Sequence, residues 1–316
     1  MNNENCKSYS QMRRDFCEKF RREILPIVNA FEDERKKKLK KAIFVSIGYS
    51  ILGIIILLFL YINSDKLSSK SADNVFKLAI IAFAAAISSW FMIKKGFENK
   101  IKTKIMPTVC SCFSNLQWYS ENFNNSDVFV KSGVISQYTG ERFDDIFRGS
   151  YKEVDFEIIE ACYDVGSGRN RQIVFNGAVV RIEMNKFFKS HTVIAPDGLL
   201  HKSPVKGLSH TVLEDVAFEK NFDVFTNDEV DARYLITPTF MERIKNLELA
   251  FKADKIKCAF YNKWLIIALS TKKDLFSICS LTKPICDNNQ YFQMYEEIES
   301  IIKLIDYFKL DQKIGL

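Results

Sequence analysis

Residues 42–62 form an uncharged, strongly apolar run, and residues 78–93 form a second. A helix of about 20 apolar residues crosses a hydrocarbon core of roughly 30 Å, so the first run is long enough to span a bilayer. The second reaches that length when counted from Val75, because Lys77 can extend its ammonium to the interface while its methylene stem stays in lipid. Two such runs, each flanked by lysines, fit a pair of membrane helices better than the buried helices of a soluble core. A cleavable signal peptide fits poorly, since its apolar region would begin near the terminus. The pattern therefore predicts a transmembrane helix over 42–62, an external loop over 63–74 and a second transmembrane helix over 75–93.

The flanking segments carry a helical period. Phe16, Phe20, Ile24, Ile27 and Phe31 recur at three and four residues before the first run, and Ile101, Ile105, Val109, Phe113 and Leu116 do so after the second. We expect a cytoplasmic amphipathic helix over 1–41 and a helical stalk over 94–123, the two packed against each other. Pro26 and Pro107 fall roughly 21–26 Å from the ends of the two spans at 1.5 Å per residue. Each removes a helical donor, so they predict either a shared kink or helix break, or two separate helix starts. Small residues, Ser46, Ser50 and Gly53 in one span and Ala82, Ala86 and Ser89 in the other, allow close helix approach within the pair or between protomers.

Beyond about Ser126 the period changes to two. Val154, Phe156 and Ile158 alternate with Asp155 and Glu157, and a second strand runs from Ile173 to Met184 after Gly166-Ser167-Gly168-Arg169-Asn170. That glycine-bearing segment joins two strands and opens no helix, which identifies a hairpin turn rather than a phosphate loop. Thr226-Asn227-Asp228-Glu229 has capping-box spacing. Thr237-Pro238 starts another helix with Phe240, Ile244 and Leu247 on its apolar face. Short strands near 256–260 and 264–269 precede a long closing helix whose buried side reads Phe292, Tyr295, Ile298, Ile302 and Ile305. Residues 124–316 are thus expected to form one cytoplasmic α+β domain attached to a two-helix transmembrane hairpin with helical cytoplasmic extensions.

Charge sets the orientation and removes one class of partner. Lys36, Lys37, Lys38, Lys40 and Lys41 precede the first span, Lys94 and Lys95 follow the second, and the connecting loop balances Lys66 and Lys70 against Asp65 and Asp73. Basic residues resist translocation, so both termini are expected on the cytoplasmic side, with the lysines against anionic lipid head groups. The net charge of +6 comes from this juxtamembrane excess: residues 105–316 carry 25 basic and 29 acidic side chains. A nucleic-acid-binding domain would need the opposite partition. No charged residue sits mid-membrane in either span, which argues against transport by this chain alone.

Candidate chemistry is sparse. The eight cysteines all lie on the side read as cytoplasmic and are expected to be free thiols, Cys110 and Cys112 included. His191, His201 and His210 lack the spacing of a metal site, and Asp144-Asp145, Glu214-Asp215 and Asp228-Glu229 read as solvated faces and helix starts. No motif calls for a cofactor or a metal, and no catalytic signature frames a nucleophile.

Two stretches carry a resemblance. Val179-Val180-Arg181-Ile182-Glu183-Met184-Asn185-Lys186-Phe187-Phe188, followed by His191-Thr192-Val193, is one; Phe218 to Phe225 with Asp231 to Pro238 and Met241-Glu242 is the other. They resemble the bacterial membrane proteins catalogued as domain of unknown function 3137. The resemblance implies a multi-pass protein of the bacterial inner membrane and supplies no activity. It points to Asn185, Lys186, Arg233 and Tyr234 as positions for a ligand or partner, although Arg233 and Tyr234 also suit a packed ion pair and a core aromatic.

Three functions remain open at this level. A membrane-anchored module that binds a partner protein leads, for want of a catalytic constellation. A ligand-sensing oligomeric effector or pore is the alternative, and a membrane-bound hydrolase using Cys162 or a histidine–carboxylate pair comes last. A flat apolar patch near the four motif residues would favour the first, a deep pocket the second.

Overall fold

The computed structural model describes residues 9–64, 66–113, 115–120, 123, 126–184, 187–198, 202–284 and 288–312. The chain forms two compact units. One comprises Met1–Asp15, Cys110–Ser277 and Asn289–Leu316; the other comprises Phe16–Val109 and Ile278–Asn288.

The second unit is helical. Helix α1 (Tyr9–Lys19) runs without a break through a π-turn (Phe20–Ile24) into α2 (Leu25–Ile62). The π-turn explains Pro26. Leu25 N–H bonds back to the Phe20 carbonyl, so the chain is already wound one residue wide where proline withholds its donor, and the helix continues. Pro26 is therefore neither a break nor a start. The same turn resets the buried stripe. Phe16, Phe20, Ile24 and Val28 are buried at a constant spacing of four, so Val28 takes the inward place expected of Ile27.

Helix α3 (Ser69–Cys110) begins earlier than the apolar run, and Pro107 lies in its final turn. The connection to α2 is thus only 63–68, with Ser71 N–H bonded to the Ser68 hydroxyl at the helix entry. Ile101, Ile105 and Val109 are buried as their spacing predicts. Between these helices Lys100 pairs with Glu34 at 2.8 Å, the Ser46 hydroxyl donates to the Ala86 carbonyl at 3.1 Å, and Gly53 lies against the Phe83 ring. Both helices are long and apolar enough to cross a membrane. Most of their apolar side chains over these stretches are exposed, among them Phe44, Leu58, Ile62, Ile81 and Phe91.

The segment from Ile278 completes this unit. Buried Arg35 grips Glu32 with two donors, at 2.7 and 2.9 Å, and gives a third to the Leu281 carbonyl at 3.0 Å. The Glu98 carboxylate accepts Leu281 N–H at 3.3 Å. One residue of the segment is therefore held from both helices.

The first unit is built on an antiparallel sheet. Its strands are β1 (Gln117–Tyr119), β2 (Gly140–Tyr151), β3 (Val154–Val165), β4 (Gln172–Glu183), β5 (Thr192–Pro196), β6 (Ser209–Thr211), β7 (Phe222–Thr226), β8 (Lys255–Tyr261) and β9 (Trp264–Ser270). They lie in the order β1-β2-β3-β4-β9-β8-β5-β7-β6. The expected hairpin is β3–β4, joined by a 3-10 turn at Gly168–Asn170. Helices α4 (Asp127–Lys131), α5 (Val216–Glu219), α6 (Glu229–Leu235), α7 (Pro238–Phe251) and α8 (Asn288–Gln312) complete the α+β architecture.

Both faces of the sheet are apolar. On one, Ile146, Ile159, Val179, Ala268, Ile266, Ala259 and Val193 pack with Phe129, Val134 and Ile135. On the other, Phe147 meets Phe276, which meets Phe251, and Phe240 of α7 lies on Phe260. This two-sided burial explains why Ile158 and Ile159 are both interior although adjacent on β3. Helix α8 buries Tyr295, Ile298, Ile302 and Ile305 as its stripe predicts, whereas Phe292 is half-buried and Tyr291, Met294, Glu297 and Leu304 are inside as well.

Candidate functional site

The site nearest the motif residues is assembled where β7 hands over to α6. Thr226, the last residue of β7, accepts the Asp228 N–H on its hydroxyl at 3.1 Å. Asp228 in turn caps α6, taking Val230 N–H at 3.0 Å and Asp231 N–H at 3.1 Å. The cap is thus Asp228, two residues beyond the threonine whose spacing suggested a capping box. The hydroxyl of Thr226 serves the turn, so the carboxylate is left for the helix. Thr237 caps α7 as its sequence predicts, accepting Phe240 N–H at 3.2 Å.

Helical geometry then places Val230 and Tyr234, four residues apart, on one face. The facing wall is the segment 187–190. Asp231 accepts both the N–H and the hydroxyl of Ser190, which sews this segment to α6. Phe188 donates its N–H to the Asn262 carbonyl and sets its ring edge-on to Phe260 at 5.1 Å. With Phe188 turned inward, Phe187 must turn out.

The result is an open groove of about 480 Å³ lined by Phe187, Phe188, Lys189, Asp228, Val230, Asp231, Tyr234 and Leu235. Three large side chains stand exposed on it: Phe187 at 74 %, Val230 at 77 % and Tyr234 at 60 %. Exposed apolar groups gathered in one place are the usual mark of an interaction surface.

Of the four motif residues, Asn185 and Lys186 lie outside the described residues. Tyr234 lines the groove and is not the core aromatic that its setting suggested. Arg233 points elsewhere on α6, where its guanidinium donates to the Val212 carbonyl at 3.5 Å. Phe187, Val230 and Asp231 escaped the sequence reading. Two adjacent aromatics beyond a strand, of which only one can face the core, were the signal for Phe187.

The candidate catalytic groups do not converge. Cys162 on β3 has Arg142 Nη2 at 3.1 Å, whereas His210 on β6 faces Asp223 at 3.2 Å. Six strand spacings separate β3 from β6, about 29 Å. His191 bonds the Ser132 carbonyl at 3.0 Å, and burial lowers its pKa, which favours neutral imidazole. His201 lies outside the described residues.

Asp145, read from sequence as part of a solvated face, is buried and accepts the Trp118 indole N–H at 2.7 Å. Asp144 and Glu160 approach it, and Glu160 accepts Leu275 N–H at 2.9 Å. Strand pairing drives this burial, because β1 lays Trp118 against β2 two residues from Asp145. Cys17, Cys110, Cys112, Cys162, Cys258 and Cys279 are free thiols; burial pushes the Cys110 thiol up to about 12. Of the lysines that flank the two apolar runs, Lys36, Lys37, Lys40, Lys41 and Lys95 are exposed, and Lys38 and Lys94 are half-buried.

No curated protein matches the chain by sequence. Among solved structures, the mycobacterial trehalose monomycolate transport factor A, TtfA, aligns with a TM-score of 0.35 at 11% identity, over 60% of this chain and 86% of that one. A likeness of that size carries no argument. Residues 173–310, from β4 into α8 with the whole groove between, match the model of the family described as "Protein of unknown function (DUF3137)", and it is this family that the chain resembles.

Proposed function

We propose that the protein is a membrane-anchored module of the bacterial inner membrane that binds a partner protein through the groove between α6 and the 187–190 segment. The exposed trio Phe187, Val230 and Tyr234 carries this reading. The groove is open rather than enclosed, which suits a partner's projecting apolar side chains better than a small molecule sealed from water. Exposed Asp228 and Glu229 at its α6 side, facing exposed Lys189 on the other wall, favour a partner segment that sets basic residues beside the apolar ones at the α6 side.

In this reading α2 and α3 cross the bilayer as an antiparallel hairpin. The contacts Glu34–Lys100, Ser46–Ala86 and Gly53–Phe83 support it, since they ascend one helix as they descend the other. The exposed lysines Lys36, Lys37, Lys40, Lys41 and Lys95 support cytoplasmic termini and an anionic lipid surface beside them.

The test is site-specific photocrosslinking in intact cells from position 230, with Ser64→Cys labelling from outside as the check on topology. The expected result is one distinct protein crosslinked through a basic, apolar segment, with its yield falling at least fivefold in Phe187→Ser and Tyr234→Ser. Crosslinks only to the same chain would replace this reading with a self-assembling effector. No labelling of residue 64 from outside would overturn the topology.

A further inference from the structure

A second cavity, of about 430 Å³, lies on β2, β3 and β4, away from the groove. Its wall consists of two rows of side chains crossing the strands. In the first row Arg148, Glu157 and Arg181 stand in register. Glu157 pairs with both guanidiniums, Arg148 at 2.9 Å and Arg181 more closely. In the second row, two residues further along, Ser150 stands opposite Asp155 and Glu183 opposite Trp264. Lys263 pairs with Glu183, and Asp155 is exposed.

Aromatic rings fix the cations of the first row. The Arg181 guanidinium lies 4.5 Å from the Trp264 ring centroid and 5.4 Å from that of Phe123. That of Arg148 lies 5.3 Å from Tyr119 and 6.0 Å from Phe123. A guanidinium held against a ring keeps its N–H donors at its edge, where planar acceptors such as the Glu157 carboxylate meet them in plane. The first row therefore holds two oriented cations on one carboxylate, and the second offers an exposed carboxylate. Side chains two residues apart on a strand share a face and are separated by about 7 Å.

We propose that this cavity binds a free α-amino acid, its carboxylate on Arg148 and Arg181 and its ammonium on Asp155. Hydrogen bonds of about 2.8 Å to each row, set on a slant, let one α-amino acid reach across strand positions about 7 Å apart. A simple anion or a simple cation satisfies one row only.

The full-length protein in detergent is titrated calorimetrically with each L-α-amino acid, and with acetate and methylammonium as the two halves. Saturable binding of at least one amino acid is expected, with acetate and methylammonium at least tenfold weaker. Arg148→Gln and Asp155→Asn each lower the affinity at least tenfold, and both sites are open enough to water for the fold to persist, which circular dichroism checks. If no amino acid binds saturably at millimolar concentration, the proposal fails. It fails equally if binding survives both substitutions, or if acetate binds as well as the amino acid, which identifies a plain anion site.

Discussion

Tyr9 and Asp306, 297 residues apart, share a hydrogen bond in which the phenol donates to the carboxylate. Asp306 also accepts the Tyr151 hydroxyl at 3.1 Å and pairs with Lys152. One carboxylate thus ties Tyr9 and the β2–β3 turn to α8, all within the first unit, while the Lys303 ammonium lies 5.5 Å from the centre of the Tyr9 ring.

Asp306→Asn keeps the shape and removes the charge. It is expected to cost about 2–3 kcal/mol, since one largely buried partner of a charged network is lost. Urea denaturation of the full-length protein in detergent measures this, and Tyr9→Phe should lose less, about 1 kcal/mol.

The turn that Asp306 braces is itself strained. Lys152 and Glu153 both have positive φ, 51° and 65°, as a two-residue type I′ hairpin requires, and neither is glycine or asparagine. Glu153→Gly is therefore expected to raise stability by about 1 kcal/mol. Lys152→Gly should gain less, because it also removes the pair with Asp306.

Glu297 is 1 % exposed, and burial lifts its carboxyl to about 7, against the opposing hydrogen bond from Gln293 and the charges of Lys252 and Lys273. A carboxyl whose pKa is raised on folding favours the native state when protonated. Its cost is absent below about 4.5, grows as pH rises and is complete above about 7. Glu297→Gln is expected to be more stable than wild type at pH 8, by about 3 kcal/mol at most, with the difference closing by pH 4.5. Melting curves across that range decide it, and an equal difference at both ends would refute the burial argument.

Gly177 occupies a position in β4 that only glycine fits. Its φ is +147°, and an added Cβ would lie 2.0 Å from the Leu269 carbonyl oxygen of β9. Gly177→Ala is expected to cost about 3 kcal/mol or more, or to prevent folding, because backbone on a central strand cannot step aside. Soluble expression and thermal melting provide the measurement.

Local pattern alone determined much of this molecule. The two apolar runs, the buried stripe from Ile101 to Val109, the β3–β4 hairpin and the Thr237 cap depend on residue spacing within one element, and spacing is written in the chain. Tertiary structure decided what depends on residues far apart. Asp145 became interior because β1 brings Trp118 to it, and Phe187 became exposed because Phe188 found Phe260. The sheet order placed Cys162 and His210 six strands apart, and the same register gathered Arg148, Glu157 and Arg181 from three strands. Periodicity says which face a side chain takes; only the pairing of distant strands says what it meets there.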